Sequence, residues 1–406
     1  MSVENKQHIY PVRLEDDLFD IVQFIRRDAQ LTRNELVTLL GLSRSKTTKL
    51  INELIDLRLL TEAEVGESSG GRKPNLLELN RNFGYVIGIH MGASGANVCL
   101  ADFKGKIIEW QRTPINIRNK PEQVMDTVFE SVFRLLDAHH INHNQILGIG
   151  VGVPAPVEKN TNRIVNPATM LGWHDYSISD YCRTHFAESV VKVDNDVALM
   201  ALGELREGMG KNHENFLMLK IGTGIGCGIV CKGEVYHGTT GIAGHIGHIS
   251  VDREGPVCHC GLVGCLEKFA AGPAHAEQAT RAANAGRSAI LSELMEKNGG
   301  KLTPEDVGTA AGRGDKVAND IIIESGRVIG DVLATVVSFF NPSLLIVGGG
   351  VSNIGPQLLI NIHRTILKNS LPLSTQDFSI QKSQMGYHAG MQGSVSLVLD
   401  HVLAKV

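Results

Sequence analysis

Residues 216–228 read FLMLKIGTGIGCG, and residues 85–95 read YVIGIHMGASG. Each stretch is an apolar run of strand length that leads into a glycine-rich turn and then into further apolar residues. A second turn follows in both places, at residues 104–105 and 232–233, before another apolar strand. A pattern that occurs twice indicates an internal duplication, so we expect two similar α/β halves with a cleft between them.

Helical and strand-like segments alternate through this part of the chain, which favours α/β layering over an all-β fold. The predicted segments are the helices Glu122–Ala138, Val197–Glu207 and Asp320–Phe340 and the strands Ile146–Val151 and Leu344–Val347.

Length and composition exclude several classes of protein. A chain of 406 residues has room for two or three domains of about 100–200 residues each. No apolar run approaches the roughly 18–20 residues that span a bilayer, and the start MSVENKQ lacks a signal-peptide pattern, so we expect a cytoplasmic protein. The formal net charge of −4 argues against broad basic binding to nucleic acid. Seven cysteines, an odd number without an export signal, argue against a disulfide framework.

The first 80 residues predict a winged helix-turn-helix. Apolar residues recur at helical spacing from Asp16 to about Leu60 and are interrupted at Gly41, which indicates three short helices. A capping-box pattern at residues 32–35 opens the second helix, and Ser43 can cap the third. A hairpin whose tip is rich in glycine and serine follows, as the wing of such a domain.

The third predicted helix begins with three positive charges among short hydroxyl side chains, and the wing tip carries two more charges. Such a helix start can reach base edges and phosphates in a major groove. The alternative is a solvated helical face beside an ordinary charged loop. Because residues 1–80 hold eleven Lys and Arg against thirteen Asp and Glu, any DNA contact must be a local stripe. The predicted contacts are Ser43, Arg44, Ser45, Lys46, Thr47, Lys49, Arg72 and Lys73.

Three cysteines and a histidine predict a metal site in the second half of the chain. Cys258, Cys260 and Cys265 supply three thiolates on one glycine-containing loop, and His248 completes a tetrahedral set for zinc. Four protein ligands leave no open position, so the predicted zinc is structural. The alternatives are reduced cysteines without a metal, or His245 or His259 as the fourth ligand.

The residues around these ligands resemble the signature of the ROK family of repressors, open reading frames and sugar kinases. The matching stretches are GIAGHIGH (241–248), CHCG (258–261), GCLE (264–267), GIGVGVPAPV (148–157), DND (194–196), GTGIG (222–226) and LIVGGG (345–350). The added N-terminal segment resembles the repressor branch that includes Mlc and NagC.

The resemblance implies a duplicated actin-like fold of the ASKHA type after the winged helix of residues 1–80. Residues 81–195 and 385–406 would form a first lobe. Residues 196–384 would form a second lobe with the zinc loop and a dimerisation surface.

The resemblance also implies roles in a sugar cleft. Asp196 stands at the position of the base that takes a proton from a sugar hydroxyl, Asn195 and Glu267 would hold other hydroxyls, and His248 would offer its second ring nitrogen to sugar. The glycine loop at residues 222–226 would present backbone amides to phosphate. The alternatives are a turn or helix-cap role for Asp196, a helix-start charge at Glu267 and a plain hairpin for the loop.

Two departures from the kinase pattern argue against catalysis. Where ROK kinases have Asp-x-Gly-x-Thr-Lys, residues 90–95 read HMGASG, so the acid that helps to place metal-bound phosphate is replaced by His90. His245 stands where the family has a glutamate that binds sugar hydroxyls. Losing the phosphate anchor costs on the order of several kcal/mol of transition-state stabilisation. We therefore predict a degenerate kinase domain rather than an enzyme.

The predicted function is a sequence-specific DNA-binding regulator, a repressor of sugar uptake or metabolism genes. A symmetric operator calls for a homodimer or a higher oligomer. Release would follow binding of a sugar or sugar phosphate, or of a glucose transporter domain of the phosphotransferase system. The alternative is an ATP-dependent ROK sugar kinase for a hexose or N-acetylhexosamine.

Overall fold

A computed structural model of the chain describes residues 11–27, 31–63, 75–158, 161–165, 167, 170 and 172–405. Among these residues, no helix has the length and apolar character needed to span a bilayer.

Where the structure describes the N-terminal segment, it contains three helices and a small antiparallel sheet of order β2-β4-β3. Its elements are β1 (Val12–Leu14), α1 (Asp16–Arg27), β2 (Leu31–Thr32), α2 (Arg33–Leu40), α3 (Arg44–Asp56), β3 (Leu60–Ala63) and β4 (Leu76–Leu79). The predicted capping box of Thr32 and Glu35 opens α2, which ends at Gly41 with a φ of 64° in the left-handed region. The Ser43 side chain accepts a hydrogen bond from the amide of Lys46 and so caps α3, as predicted.

The first lobe is built on a five-stranded sheet of order β11-β8-β5-β6-β7. Its elements are β5 (Tyr85–Met91), β6 (Gly95–Asp102), β7 (Ile107–Pro114), α4 (Pro121–Ala138), β8 (Ile146–Val153), β9 (Val157–Glu158), β10 (Arg163–Ile164), α5 (Ile178–His185) and β11 (Val190–Asn195). The core between the sheet and α4 contains the fully buried side chains of Val128, Phe129 and Trp173.

The second lobe follows α6 (Asp196–Glu207) and has a sheet of order β14-β13-β12-β15-β16. Its elements are β12 (Phe216–Ile221), β13 (Ile225–Cys231), β14 (Glu234–Val235), α7 (Glu267–Ala270), α8 (Gly272–Asn284), α9 (Ala289–Lys297), α10 (Pro304–Gly312), α11 (Lys316–Phe340), β15 (Leu344–Gly348), α12 (Pro356–Asn369), α13 (Pro372–Thr375) and β16 (Ser379–Lys382).

The two sheets have the same topology. In the first sheet β5 pairs antiparallel with β6 and parallel with β8. In the second sheet β12 pairs antiparallel with β13 and parallel with β15. The two glycine-rich stretches occupy equivalent turns, between β5 and β6 and between β12 and β13. The predicted duplicated α/β fold is confirmed.

The C-terminus joins the N-terminal segment to the first lobe. Helix α14 (His388–Val402) packs on β5, β8 and α6, and β17 (Leu403–Lys405) pairs in parallel with β1. One hydrophobic core contains Leu18 and Ile25 of α1 together with Val398 and Leu399 of α14. Because these side chains are buried together, the N-terminal segment packs on the lobe instead of being connected only by a linker.

Candidate functional site

The carboxyl ends of β5, β11 and β12 meet at Asp196, the first residue of α6. His90 at the end of β5 places Nε2 3.2 Å from the main-chain oxygen of Asp196. Lys220 at the end of β12 forms an ion pair with the Asp196 carboxylate. Ligands of α/β folds bind at the carboxyl ends of parallel strands. We call the region between the lobes at these residues the cleft.

Asp196 and Lys220 join the start of α6 to the end of β12. The Asp196 side chain is only 4% exposed and that of Lys220 is 21% exposed, so the ion pair is largely shielded from water. Gly226 and Gly348 flank Lys220 on the neighbouring strands, and Val197 and Met218 fill the places where their Cβ atoms would lie. Sequence reasoning missed Lys220, although a single lysine in the apolar run FLMLKI was the available signal.

Asn195 has a structural role that limits its predicted part in sugar binding. Its Oδ1 accepts hydrogen bonds from the amides of Val197 and Ala198, which makes it the N-cap of α6. Its Nδ2 donates to the main-chain oxygen of Ala155. One amide hydrogen therefore remains for a sugar hydroxyl.

His90 occupies the position of the missing acid in a buried environment. Burial lowers the pKa of its imidazole and outweighs the opposite effect of the Asp196 carboxylate, so the ring is neutral near pH 7. The ring lies directly against α14, where a Cβ added at Gly390 would collide with it. A neutral imidazole in this position does not supply the charged oxygen ligand that Mg²⁺ prefers.

The second glycine loop is a tight turn that is held by main-chain hydrogen bonds. The amide of Gly222 donates to the oxygen of Gly224 over 2.9 Å, and the amide of Gly272 at the start of α8 donates to the oxygen of Gly222 over 2.8 Å. Glu267 lies beside the loop, because its Oε2 is 3.0 Å from the place of a Cβ at Gly224. The Gly222 amide is therefore used within the turn and is not free for phosphate.

The predicted metal ligands converge on one point. The ligand atoms of His248, Cys258, Cys260 and Cys265 all lie within 4.8 Å of one another. Cys258 Sγ is 3.8 Å from His248 Nδ1, and Cys260 Sγ is 3.6 Å from Cys265 Sγ. Tetrahedral zinc with Zn–S bonds of about 2.3 Å places its sulfur ligands about 3.8 Å apart. The four residues therefore fit a zinc ion.

Glu267 lies beside these four ligands and contacts one of them, Cys258, and also His259. Its Oε1 is 3.2 Å from Cys258 Sγ and 3.1 Å from His259 Nε2. Cys258, His259 and Glu267 form a second group that could hold a metal, so His259 stays an alternative ligand. His245 belongs to neither group.

His245 presents a single acceptor atom. Its Nδ1 donates to the main-chain oxygen of Ile242 over 3.1 Å, and burial is the main cause that lowers the pKa of the ring. The neutral ring therefore keeps an unprotonated Nε2. This position offers one hydrogen-bond acceptor where a glutamate offers two oxygens.

The ROK family model matches residues 86–401, which is more than three quarters of the chain. The chain belongs to the ROK family. The predicted membership is therefore confirmed. A xylose repressor from Bacillus spizizenii (strain ATCC 23059 / NRRL B-14472 / W23) is 27% identical over 383 residues, which cover 94% of this chain and 94% of the repressor.

Two solved structures share the fold of this ROK chain. A ROK family transcriptional regulator, a homolog of the E. coli MLC protein, superposes with a TM-score of 0.79 at 26% identity and covers 95% of both chains. A ROK family glucokinase from Streptomyces griseus, solved with glucose and AMPPNP, has a TM-score of 0.68 at 28% identity. That match covers 99% of the kinase but only 77% of this chain. The ROK match begins at residue 86, after the N-terminal helices and hairpin.

The residues predicted to contact DNA lie before this ROK match and differ in exposure. Exposed at the start of α3 are Ser43, Arg44, Ser45, Lys46 and Lys49. Thr47 is fully buried, so the prediction that it contacts DNA is wrong. Its position three and four residues before Leu50 and Ile51 places it on the inner face of the helix. Arg72 and Lys73 lie outside the described residues.

Proposed function

We propose that this ROK protein is a sugar-responsive transcriptional repressor that binds operator DNA and does not transfer phosphate. The N-terminal segment carries this proposal, because it places exposed basic residues on a helix start ahead of the ROK domain. The relative named a xylose repressor matches nearly the whole chain, whereas the kinase matches only 77% of it. Because operator DNA is the proposed partner, we place the protein in the cytoplasm.

We assign residues 1–80 as a winged helix-turn-helix, residues 81–195 and 385–406 as the first lobe and residues 196–384 as the second. In the N-terminal domain α3 is the recognition helix, since Gly41 turns the chain between α2 and α3. Arg44 and Lys49 are exposed in its first two turns and suit contacts to phosphates and base edges. The antiparallel pair β3 and β4 forms the wing.

A symmetric operator requires two copies of α3, and we place the dimer interface on the second lobe. A groove beside α11 is lined by Ile249, Phe269, Val328 and Val332, with Ile249 44% exposed. Phe339 near the end of the same helix is 91% exposed. The same groove is also lined by charged side chains, among them Glu324 and Asp331, and subunit interfaces combine apolar and charged residues in this way.

The metal in this proposal is a structural zinc held by His248, Cys258, Cys260 and Cys265. Zinc supplies no reaction here, because its four positions are taken by protein ligands. Since Nδ1 of His248 faces the cysteines, the Nε2 atom of the same ring is left for a sugar hydroxyl. The ligand loop also orders Glu267, which contacts Cys258 and lies beside the glycine loop.

The cleft is proposed to bind the effector through Asp196, His248 and Glu267, with Asn195 contributing its remaining amide hydrogen. Retention of Asp196 and of the second glycine loop favours one alternative, an ATP-dependent sugar kinase. The neutral His90 argues against it, since the phosphate-placing acid is absent.

The test is a DNA-binding titration with the full chain and the duplex that it selects from a random pool. D-xylose, D-glucose, N-acetylglucosamine and the 6-phosphates of the last two sugars are added in separate arms, and a transporter domain of the phosphotransferase system in another. We expect sequence-specific binding that one arm weakens at least about tenfold, in the usual range of allosteric coupling. Binding without sequence preference at moderate salt would overturn the proposal.

A coupled assay with ATP and the same sugars tests the alternative. Turnover of about one per second or more, abolished in Asp196→Asn, would favour the kinase. The repressor proposal expects no sugar-dependent ATP consumption above background.

A further inference from the structure

Three charged side chains join the N-terminal domain to the two helices that reach the cleft. Arg26, in the last turn of α1, places Nη1 2.6 Å from Asp400 Oδ1 and donates from Nη2 to the main-chain oxygen of Ser396 over 3.3 Å. Arg206, in the last turn of α6, donates from Nη2 to Asp400 Oδ2 over 3.3 Å. We call Arg26, Arg206 and Asp400 the Asp400 cluster.

The burial and the shared carboxylate of the Asp400 cluster fix the positions of its three side chains relative to one another. Arg26 and Asp400 are only 18% and 30% exposed, so their ion pair is partly shielded from water and salt. One carboxylate is shared by two guanidinium groups, and each of its oxygens faces a different helix. A change in the position of α6 or α14 therefore changes the contact available to Arg26.

Helices α6 and α14 pack with their backbones in contact. A Cβ added at Gly203 of α6 would collide with the carbonyl of Ala389, and one added at Gly393 of α14 would collide with the carbonyl of Leu199. Such close packing leaves no room for one helix to slide independently over the other. We therefore expect any shift of one helix to carry the other with it.

The same pair of helices forms one side of the cleft. Asp196 is the first residue of α6, and Gly390 in the first turn of α14 packs against the ring of His90. His90 in turn contacts the main-chain oxygen of Asp196. Any ligand that moves the Asp196 carboxylate or the His90 ring therefore acts on both helices at their cleft ends.

We propose that Asp400 is the positioning residue that couples the cleft to the DNA-binding domain, by transmitting movement of α6 and α14 to Arg26 of α1. This inference rests on the proposed function. It does not assign Asp400 any contact with DNA or effector. The β1–β17 ladder and the shared core hold the domain in place, and the cluster sets its orientation.

The test is a thermodynamic cycle on the full-length protein with Asp400→Asn. The DNA probe is the duplex selected by the wild type, and the sugar probe is the member of the panel, such as D-xylose, that releases it. Linkage requires that the sugar weakens DNA binding by the same factor as DNA weakens sugar binding. Titration calorimetry and fluorescence anisotropy measure both factors.

For Asp400→Asn we expect each separate affinity to stay within about twofold of the wild type, while the coupling factor falls at least about fivefold towards one. Arg206→Gln should reduce the coupling factor less, because the Arg26–Asp400 pair survives. Asp400→Glu should restore part of it. Glu207→Gln is the matched control, since Glu207 is the last residue of the same helix and its ion pair with Lys211 is exposed.

Two results would overturn the inference while leaving the repressor proposal in place. One is an unchanged coupling factor in both Asp400→Asn and Arg206→Gln. The other is an equal loss of DNA affinity with and without sugar, which indicates a merely structural role. The inference assumes that a sugar bound in the cleft changes DNA affinity, so a wild-type protein whose DNA affinity responds to no sugar in the panel also refutes it. In that case the separate transporter arm shows whether the repressor proposal survives.

Discussion

Replacing Lys220 with methionine tests whether the ion pair with Asp196 stabilises the packing of α6 against β12. Methionine keeps the length and apolar part of the side chain but removes the charge, so the Asp196 carboxylate is left buried without a counterion. Removing one partner of a buried pair costs about 3–5 kcal/mol. Because the Lys220 side chain is 21% exposed, we expect the lower end, about 3 kcal/mol.

Urea unfolding followed by tryptophan fluorescence measures this loss in the free energy of unfolding. The two tryptophans, Trp110 and Trp173, both lie in the first lobe, whose last strand leads directly into Asp196. With a urea dependence of about 1–3 kcal/mol per M, a loss of 3 kcal/mol lowers the midpoint by about 1–3 M. Lys211→Met is the control, because its ion pair with Glu207 is exposed and contributes less than about 1 kcal/mol.

The double variant Lys220→Met with Asp196→Asn separates charge burial from simple loss of packing. Once the carboxylate is neutral, the methionine leaves no unpaired charge, so the double variant should be more stable than the sum of the single changes by about 2 kcal/mol. If the single effects add without this coupling, or if Lys220→Met unfolds at the wild-type midpoint, the pair does not stabilise the packing of α6 against β12.

Three further changes test the metal site, the DNA contact and a buried histidine. Cys258→Ser should lower zinc, measured by mass spectrometry on purified protein, from about one ion per chain to near none, since one of four ligands is lost. Arg44→Ala should weaken DNA binding, and if the contact is to phosphate the slope of log affinity against log salt should fall by about one. Burial lowers the pKa of His275 to about 4, so the unfolded chain binds more protons between pH 6.5 and 4. Stability should therefore fall by up to about 3 kcal/mol as the pH drops through that range, and His275→Gln should reduce the pH dependence of stability in urea titrations, to which His90 and His245 also contribute.

The metal-site and DNA-contact changes each have a matched control. Cys231→Ser removes a half-buried thiol outside the metal cluster and should keep the zinc. Arg183→Ala removes an exposed arginine of the first lobe and should keep the salt slope. Full zinc in Cys258→Ser, an unchanged affinity and slope in Arg44→Ala, or the same pH slope in His275→Gln and the wild type would each contradict the corresponding reasoning.

Patterns that repeat over short distances made much of the fold predictable. The alternation of strand-like runs and glycine turns at residues 85–95 and 216–228 gave the duplication, because both copies fold by local pairing of neighbouring strands. The spacing of Cys258, Cys260 and Cys265 likewise grouped the thiols on one loop. Helix caps at Thr32 and Ser43 also depend on residues three positions away.

Contacts between distant residues were not predictable in the same way. The β1–β17 ladder joins the two ends of the chain, and no short-range pattern marks Val12 and Leu403 as partners. Lys220 meets Asp196 only because two sheets present their carboxyl ends to one cleft. Thr47 was assigned to DNA by residue type, whereas its burial depends on the packing of α3 against the rest of its domain.

His90 shows why the departure from the kinase pattern fits this chain. An aspartate at this position would place a second carboxylate close to Asp196 in a site that is 8% exposed, and without a bound cation that arrangement is costly. A neutral imidazole avoids the repulsion, and its flat ring fits against Gly390 of α14 while it hydrogen-bonds to Asp196. The substitution that removes the phosphate anchor thus also supplies a packed contact between the cleft and the helix that carries Asp400. In the proposed repressor, the absence of phosphate transfer and the transmission of a binding signal would both depend on this side chain.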